Sequence, residues 1–237
     1  MITELATRLD HAALTATAIP RLAAGLDPSR AYEVQRALVE RRLARGERLV
    51  GVKMGLTSRA KMAQVGVDEV IWGHLTDGMR IADTVDLSRL IHPRAEPEVA
   101  FLVDRSGIAA VAPALELIDS RFEGFDFSLP DVIADNTSAS GFVVGQWRPV
   151  PEGLDNLGVL LEVNGRVVQT GSTAAILGDP RRAFDAAARL AGGRGVDLRD
   201  GWIVLAGAAT AAVPLNPGDH VRAVVEKLGT TSFKAAS

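Results

Sequence analysis

The chain reads as an α+β domain, rich in strands and preceded by two helices. Three observations carry that reading. Near the N-terminus, Leu5, Leu9, Ala12, Ala13 and Ala16 recur at helical spacing. Beyond residue 48 the apolar residues alternate or form short unbroken runs, as at Val99, Phe101 and Val103. Between two alternating runs stands Asn164-Gly165, the signature of a hairpin with a type I′ turn. A length of 237 residues fits one large domain with a small N-terminal addition. The expected division is a helical segment at 1–47 packed on a β-rich domain at 48–237, the two forming one functional unit.

Taken in order, the first amphipathic helix is predicted from about Thr3 to Ala18, closed by Pro20. A second starts near Pro28-Ser29, places Tyr32, Val34, Gln35, Leu38 and Val39 on its path, and stops at Gly46. Arg48 to Leu56 is the first strand. Lys53 lies inside its apolar stretch, either as a snorkelling edge residue or as a cation aimed into a pocket. Thr57-Ser58 caps a short predicted helix over Lys61 to Gln64, ending at Gly66. Ile71 to Leu75 reads as a strand or tight turn, with His74 in a structural role. Asp135 and Asn136 are expected to end a short element by bonding their own backbone. Gly141 to Gly145 is a buried strand, and Gly158 to Gln169 the hairpin. Ala174 to Leu177 and Pro180 to Ala191 read as helical, the second starting naturally at Asp179-Pro180. Trp202 to Ala206 is another strand, Gly207 to Ala212 a small-residue backbone, Asn216 to Asp219 a turn, and His220 to Phe233 a final strand pair.

Composition removes several function classes. The net charge is −3, without a basic run or aromatic–basic interleaving, so no nucleic-acid or anionic-membrane partner is indicated. Cysteine is absent, which excludes disulfides, thiolate metal sites and a cysteine nucleophile. No apolar run approaches the roughly 18 residues of a membrane span, and the N-terminus has no signal-peptide core. The expected setting is cytoplasmic.

The chemistry concentrates in HPRAEPEVAF, His92 to Phe101, read with PALELIDSR, Pro113 to Arg121. Glu96 and Glu98 enter an alternating strand two residues apart, so both project from one face. Glu116 sits between apolar neighbours in a second strand-like run. Three carboxylates without Cys or His suit Mg²⁺ or Mn²⁺ better than Zn²⁺. Spacing alone leaves open the plainer alternative, that Glu96 and Glu98 are solvent-facing charges on an edge strand.

The motifs in order resemble the fumarylacetoacetate hydrolase superfamily, and within it the branch of hydratases and decarboxylases that follow aromatic meta-cleavage. The resemblance runs through AYEVQ (Ala31 to Gln35), GVKMGLTSRAKMAQVGV (Gly51 to Val67), LIHPRAEPE, LELIDSRFEGFDF, DVIADN, GVLLEVNG, TAAVPLNPGD and KLGTTSF. It implies a mixed β-sandwich or roll with N-terminal helices, and a catalytic domain over 48–237. It implies Mg²⁺ (or Mn²⁺) held by Glu96, Glu98 and Glu116, with Lys53 as the catalytic and substrate-binding lysine. Leu56, Ile71, Ser138 and Thr210 are the further substrate contacts, Thr210 on a loop that closes over the substrate. The implied partners are a small dicarboxylate 2-oxo acid, the hydratase of the next step, and further copies of the chain in a homo-oligomer.

Within the branch the wording favours decarboxylation of 2-oxohex-3-enedioate over hydration of 2-hydroxypenta-2,4-dienoate. Hydratases of the family place an Asp for proton transfer where Ile71 stands, and FEGFDF (Phe122 to Phe127) follows the decarboxylase pattern. Acylpyruvate hydrolysis is disfavoured, because Leu14 stands where a Glu would follow His11. Two departures are visible. The segment between Phe101 and Pro113 is shorter than usual, which predicts a trimmed covering loop, and SASGF (Ser138 to Phe142) lacks the Arg that decarboxylases place before that Phe.

Overall fold

The computed structural model describes residues 1–22, 25–58, 62 and 69–237. Helix α1 (Ile2–Leu14) is shorter than its periodicity predicts. The Thr15 amide donates to the His11 carbonyl, and Ala16 takes φ 47, a left-handed conformation that a right-handed helix cannot continue through. Helix α2 (Pro28–Ala44) follows the prediction: the Asp27 carboxylate accepts the Arg30 amide, and Gly46 at φ 99 lets the chain turn away. Buried Asp10 of α1 ties the two together through Arg41 and Arg45, each at 2.8 Å.

Strands β1 (Leu49–Gly55) and β2 (Ile71–Thr76) pair antiparallel. The helix predicted over Lys61 to Gln64 falls, Met62 apart, outside the described residues. Then come β3 (Thr84–Asp86), β4 (Arg94–Asp104), β5 (Gly107–Ile118), helix α3 (Leu129–Ala134), β6 (Ala139–Val144), β7 (Gly158–Val163) and β8 (Arg166–Ser172). Helix α4 (Pro180–Gly192), β9 (Ile203–Ala208), β10 (Val213–Pro214), β11 (His220–Val225) and β12 (Gly229–Ala236) complete the chain. Asn164 at φ 53 and Gly165 at φ 75 make the predicted type I′ turn between β7 and β8. The helix expected over Ala174 to Leu177 is only a short 3₁₀ turn, Thr173–Ala175, because Leu177 at φ 52 diverts the chain into the Asp179 cap of α4.

The strands form two sheets. One runs β2-β1-β9-β4-β5-β6, with β10 pairing β4; the other runs β3-β12-β11-β7-β8. Alternation along β4 explains how they meet. Ala95 joins Leu115 and Leu117 against Leu161, Val221, Ala223 and Phe233 of the second sheet. Further along, Val99 and Phe101 share a core with Val52, Met54, Val204 and α4, where Phe101 and Phe184 meet edge to face. Glu96, Glu98 and Ala100 necessarily take the opposite face. At its β1–β2 end that face is roofed by α1, α2 and α3 through Leu9, Val34, Leu38, Ile133 and Ile71. This is the β-rich, two-sheet fold with N-terminal helices that the sequence predicts. Lys53 is no edge residue, since β1 lies between β2 and β9.

The trimmed segment is not a covering loop. It is the tip of the β4–β5 hairpin, where Asp104 pairs with Gly107. The six residue steps from Glu98 to Asp104 put that tip about 20 Å along the strand from the carboxylates.

Candidate metal centre

The register of β4 and β5 places Glu96 directly across from Glu116, and Glu98 follows two residues on, sharing the face. The three are 5%, 1% and 0% exposed, which removes the alternative of solvent-facing charges. One carboxylate oxygen from each lies within 4.8 Å of the others. Beside β4 in the sheet runs β9, and the Gly207 amide donates to Glu98 Oε2 at 2.8 Å. A side chain at Gly207 would run into Thr57, and its φ of 105 favours glycine, so the small-residue stretch serves this approach.

Lys53 stands on the same face, two strands from β4. Its Nζ donates to the Thr137 carbonyl at 3.0 Å and lies 2.9 Å from Glu116 Oε2. The latter is an ion-pair contact without hydrogen-bond alignment. Among the described residues, both Glu116 oxygens and Glu98 Oε1 therefore lack a hydrogen-bond donor. Burial, then the Glu116 charge, pushes Glu98 well above the usual carboxylate range, with Lys53 opposing. Burial also raises Glu116, again against Lys53. Burial and mutual repulsion make the charged form of this cluster costly, a cost that a bound divalent cation would offset. Oxygen-only donors with unsatisfied lone pairs fit Mg²⁺ or Mn²⁺.

Asn136 at φ 50, Thr137 at φ 55 and Ser138 at φ 57 form three successive left-handed residues, a conformation that costs about 1–2 kcal/mol each. The turn is held from β2. Asn136 accepts the His74 amide at 2.7 Å and donates to the His74 carbonyl at 2.9 Å, while the Thr137 hydroxyl donates to the Trp72 carbonyl at 2.9 Å. Asn136 thus bonds a distant strand rather than its own backbone. Asp135 likewise pairs with buried Arg121, which also donates to Ser140 Oγ at 2.9 Å. Burial pushes Asp135 up to about 6 while Arg121 draws it down. His74 is structural as expected: it packs on Trp72, and burial pushes its imidazole down to about 4.

Of the remaining expected contacts, Ile71 is buried opposite Gly55, within the helix-side cluster. Leu56, half-buried, leaves β1 at φ 56 and packs on the same cluster. Ser138 Oγ is buried without a hydrogen-bond partner among the described residues. Thr210 stands apart: its hydroxyl donates to the Ala211 carbonyl at 3.0 Å and its methyl faces Gly171 of β8. The left-handed turn was missed by sequence reading, which weighed Asn136 only as a local terminator. The one available signal was glycine at 55 and 73, where a Cβ would meet Thr137 at 2.5 Å and the Asn136 carbonyl at 2.6 Å.

The family model described as fumarylacetoacetate (FAA) hydrolase C-terminal matches residues 85–234, which includes all three glutamates. The chain belongs to the fumarylacetoacetate hydrolase family. Within this family it is 49% identical to a 4-oxalocrotonate decarboxylase from a Pseudomonas species, over 98% of this chain and 97% of the relative. A 2-keto-4-pentenoate hydratase from Paraburkholderia xenovorans strain LB400 is 36% identical, over 86% and 83%. The fold matches the solved 4-oxalocrotonate decarboxylase from Pseudomonas putida G7, complexed with magnesium and adipate. There the TM-score is 0.93 and the identity 37%, covering 99% of this chain and 97% of that one. Among the described residues, no helix is long and apolar enough to cross a membrane.

Proposed function

We propose that this chain is a metal-dependent carboxy-lyase converting 2-oxohex-3-enedioate to 2-oxopent-4-enoate and CO₂. The observation that carries the reading is the buried Glu96–Glu98–Glu116 cluster with Lys53 beside it, in a chain 49% identical to a 4-oxalocrotonate decarboxylase.

The three glutamates hold Mg²⁺ or Mn²⁺, which when bound supplies Lewis-acid polarisation of the substrate's 2-oxo group. Cleavage of the bond to the far carboxylate releases CO₂, and the bond's electron pair moves along the conjugated chain to the C2 oxygen. Lys53, in ion-pair contact with Glu116, is a fixed cation placed to stabilise that charge or return a proton. Thr137 and Glu116 set its direction. Ser138 Oγ, buried and without a hydrogen-bond partner among the described residues, is a ready donor to substrate, and Leu56 and Ile71 contribute apolar wall. Thr210 contributes through its loop rather than its hydroxyl. Ile71 can neither donate nor accept a proton, which disfavours hydration as the main activity.

Residues 1–47 and 48–237 act as one unit in this reading, supported by Gln35 of α2, which donates to the Trp72 and Ile133 carbonyls. A cytoplasmic setting, a homo-oligomer and association with the hydratase that takes the product belong to the same reading. Exposed Val167 and Val168 on the edge strand β8 offer one apolar contact for assembly.

The test supplies purified protein and Mg²⁺ with 2-oxohex-3-enedioate and, separately, 2-hydroxypenta-2,4-dienoate. Ultraviolet loss of each chromophore is followed with CO₂ release. Mg²⁺-dependent CO₂ from the first, with the second untouched, is expected. Consumption of the second without CO₂ from the first would make the protein a hydratase.

A further inference from the structure

Arg94 occupies the same face of β4 as Glu96 and Glu98, one alternation before Glu96, about 7 Å away along the strand. Its guanidinium lies 4.1 Å from the Phe125 ring centroid. Among the described residues it forms neither an ion pair nor a side-chain hydrogen bond, although it is half-buried. Phe125 is itself held at φ 59, a strained conformation for an aromatic residue, and its ring lies 4.6 Å from that of His92 and 6.3 Å from that of Phe127. Among the described residues, Arg121 is taken by Asp135 and Arg80 lies over the Phe142 ring. Further along β4, on the side of the carboxylates away from Arg94, Ala100 and Leu205 fill the face with buried apolar side chains. A long ligand anchored at the glutamates therefore extends toward Arg94.

We propose that Arg94, steadied by Phe125, is the residue that binds the distal carboxylate of the substrate and selects dicarboxylates over monocarboxylates. This rests on the reading of the acid cluster as the site that binds the 2-oxo end. The dimensions agree: an extended six-carbon diacid spans about 6 Å between its carboxyl carbons, given bonds of about 1.5 Å in zigzag. A planar guanidinium stacked on an aromatic ring keeps its edge available for a two-pronged carboxylate contact. Arg94 thereby replaces, from a different strand, the arginine missing ahead of Phe142. Binding of the far carboxylate is also what holds the breaking bond in register with the conjugated chain. Arg94 lets go as that group becomes neutral CO₂.

The test uses the full chain with saturating Mg²⁺ and two unreactive probes of equal length, adipate and hexanoate, titrated calorimetrically. The wild type is expected to prefer adipate roughly tenfold or more. Arg94→Gln should bring that preference near unity, leave hexanoate and Mg²⁺ affinity unchanged, and raise KM for 2-oxohex-3-enedioate by a similar factor. Arg94→Lys should restore part of the preference. A wild type that does not discriminate the probes, or an Arg94→Gln variant that still does, overturns the assignment. Failure of the proposed reaction itself shows separately, as absent turnover by a wild type that still selects adipate.

Discussion

At the scale of single residues, burial decides which side chains carry chemistry and which carry structure. Glu98 and His74 are both buried and ionisable, yet they answer burial in opposite ways. Glu98 is raised by burial and by Glu116, and among the described residues one of its oxygens has no hydrogen-bond donor. His74 is lowered to about 4 and is neutral near pH 7, with its Nδ1 unbonded among the described residues and its ring on Trp72. The sign for His74 is definite. Its folded value lies below its ordinary value of 6.5, so between these limits the unfolded chain binds more protons. Stability is lost as pH falls through that window, by about 1.4 kcal/mol per unit. His74→Phe should match the wild type near neutrality and remove this contribution. Urea unfolding of both proteins at about pH 7 and about pH 5 should show the wild type losing roughly 2 kcal/mol more. Equal losses would mean that the imidazole is not held neutral.

At the scale of elements, the site depends on a short segment that costs energy to form. The left-handed Asn136–Ser138 turn presents the Thr137 carbonyl to Lys53; it is held by three hydrogen bonds with β2, and by the Ser138 amide donating to the Asp135 carbonyl and the Asp119 amide donating to the Ser138 carbonyl. Gly73→Ala tests this, since its Cβ would stand 2.6 Å from the Asn136 carbonyl. Forced shifts of this kind cost about 1–3 kcal/mol, or roughly 5 °C in Tm for a chain of this size. Turnover is expected to fall further than stability accounts for, because Lys53 loses its acceptor. Full activity in a variant with lowered Tm would show that the turn supports the fold alone. Elements of this sort explain what was legible beforehand. The β7–β8 hairpin was readable because Asn164-Gly165 sets its turn locally. Glu96 and Glu98 were readable as neighbours because a strand repeats every two residues. Glu116 joined them only through the β4–β5 register, and Asn136 met His74 only through the tertiary fold, 62 residues away in sequence. Neither partner leaves a trace in local spacing. The covering loop was misread for the same reason: a shortened segment says where length is missing, and not that the missing length is a hairpin tip.

At the scale of the whole molecule, the centre links metal binding to stability. Glu96, Glu98 and Glu116 come from adjacent strands in the middle of the larger sheet, so their mutual repulsion acts on the core of the fold. Raised folded values at Glu98 and Glu116 have a fixed consequence. The metal-free protein holds protons there that the unfolded chain has already released, so its stability falls as pH rises through those folded values. A divalent cation requires the carboxylates deprotonated, and its stabilisation grows over the same range. Thermal melts with EDTA and with saturating Mg²⁺ should therefore diverge as pH is raised from about 5 to about 8. At a hundred times Kd the gain approaches about 2.7 kcal/mol, or roughly 5–10 °C in Tm. Metal binding should also release protons, measurable by calorimetry in buffers of different ionisation enthalpy. Glu98→Gln removes one charge from the cluster, so it should close most of the gap between the two melts and abolish metal-dependent turnover together. A variant that keeps the full Mg²⁺-dependent shift would place the cation away from these three carboxylates.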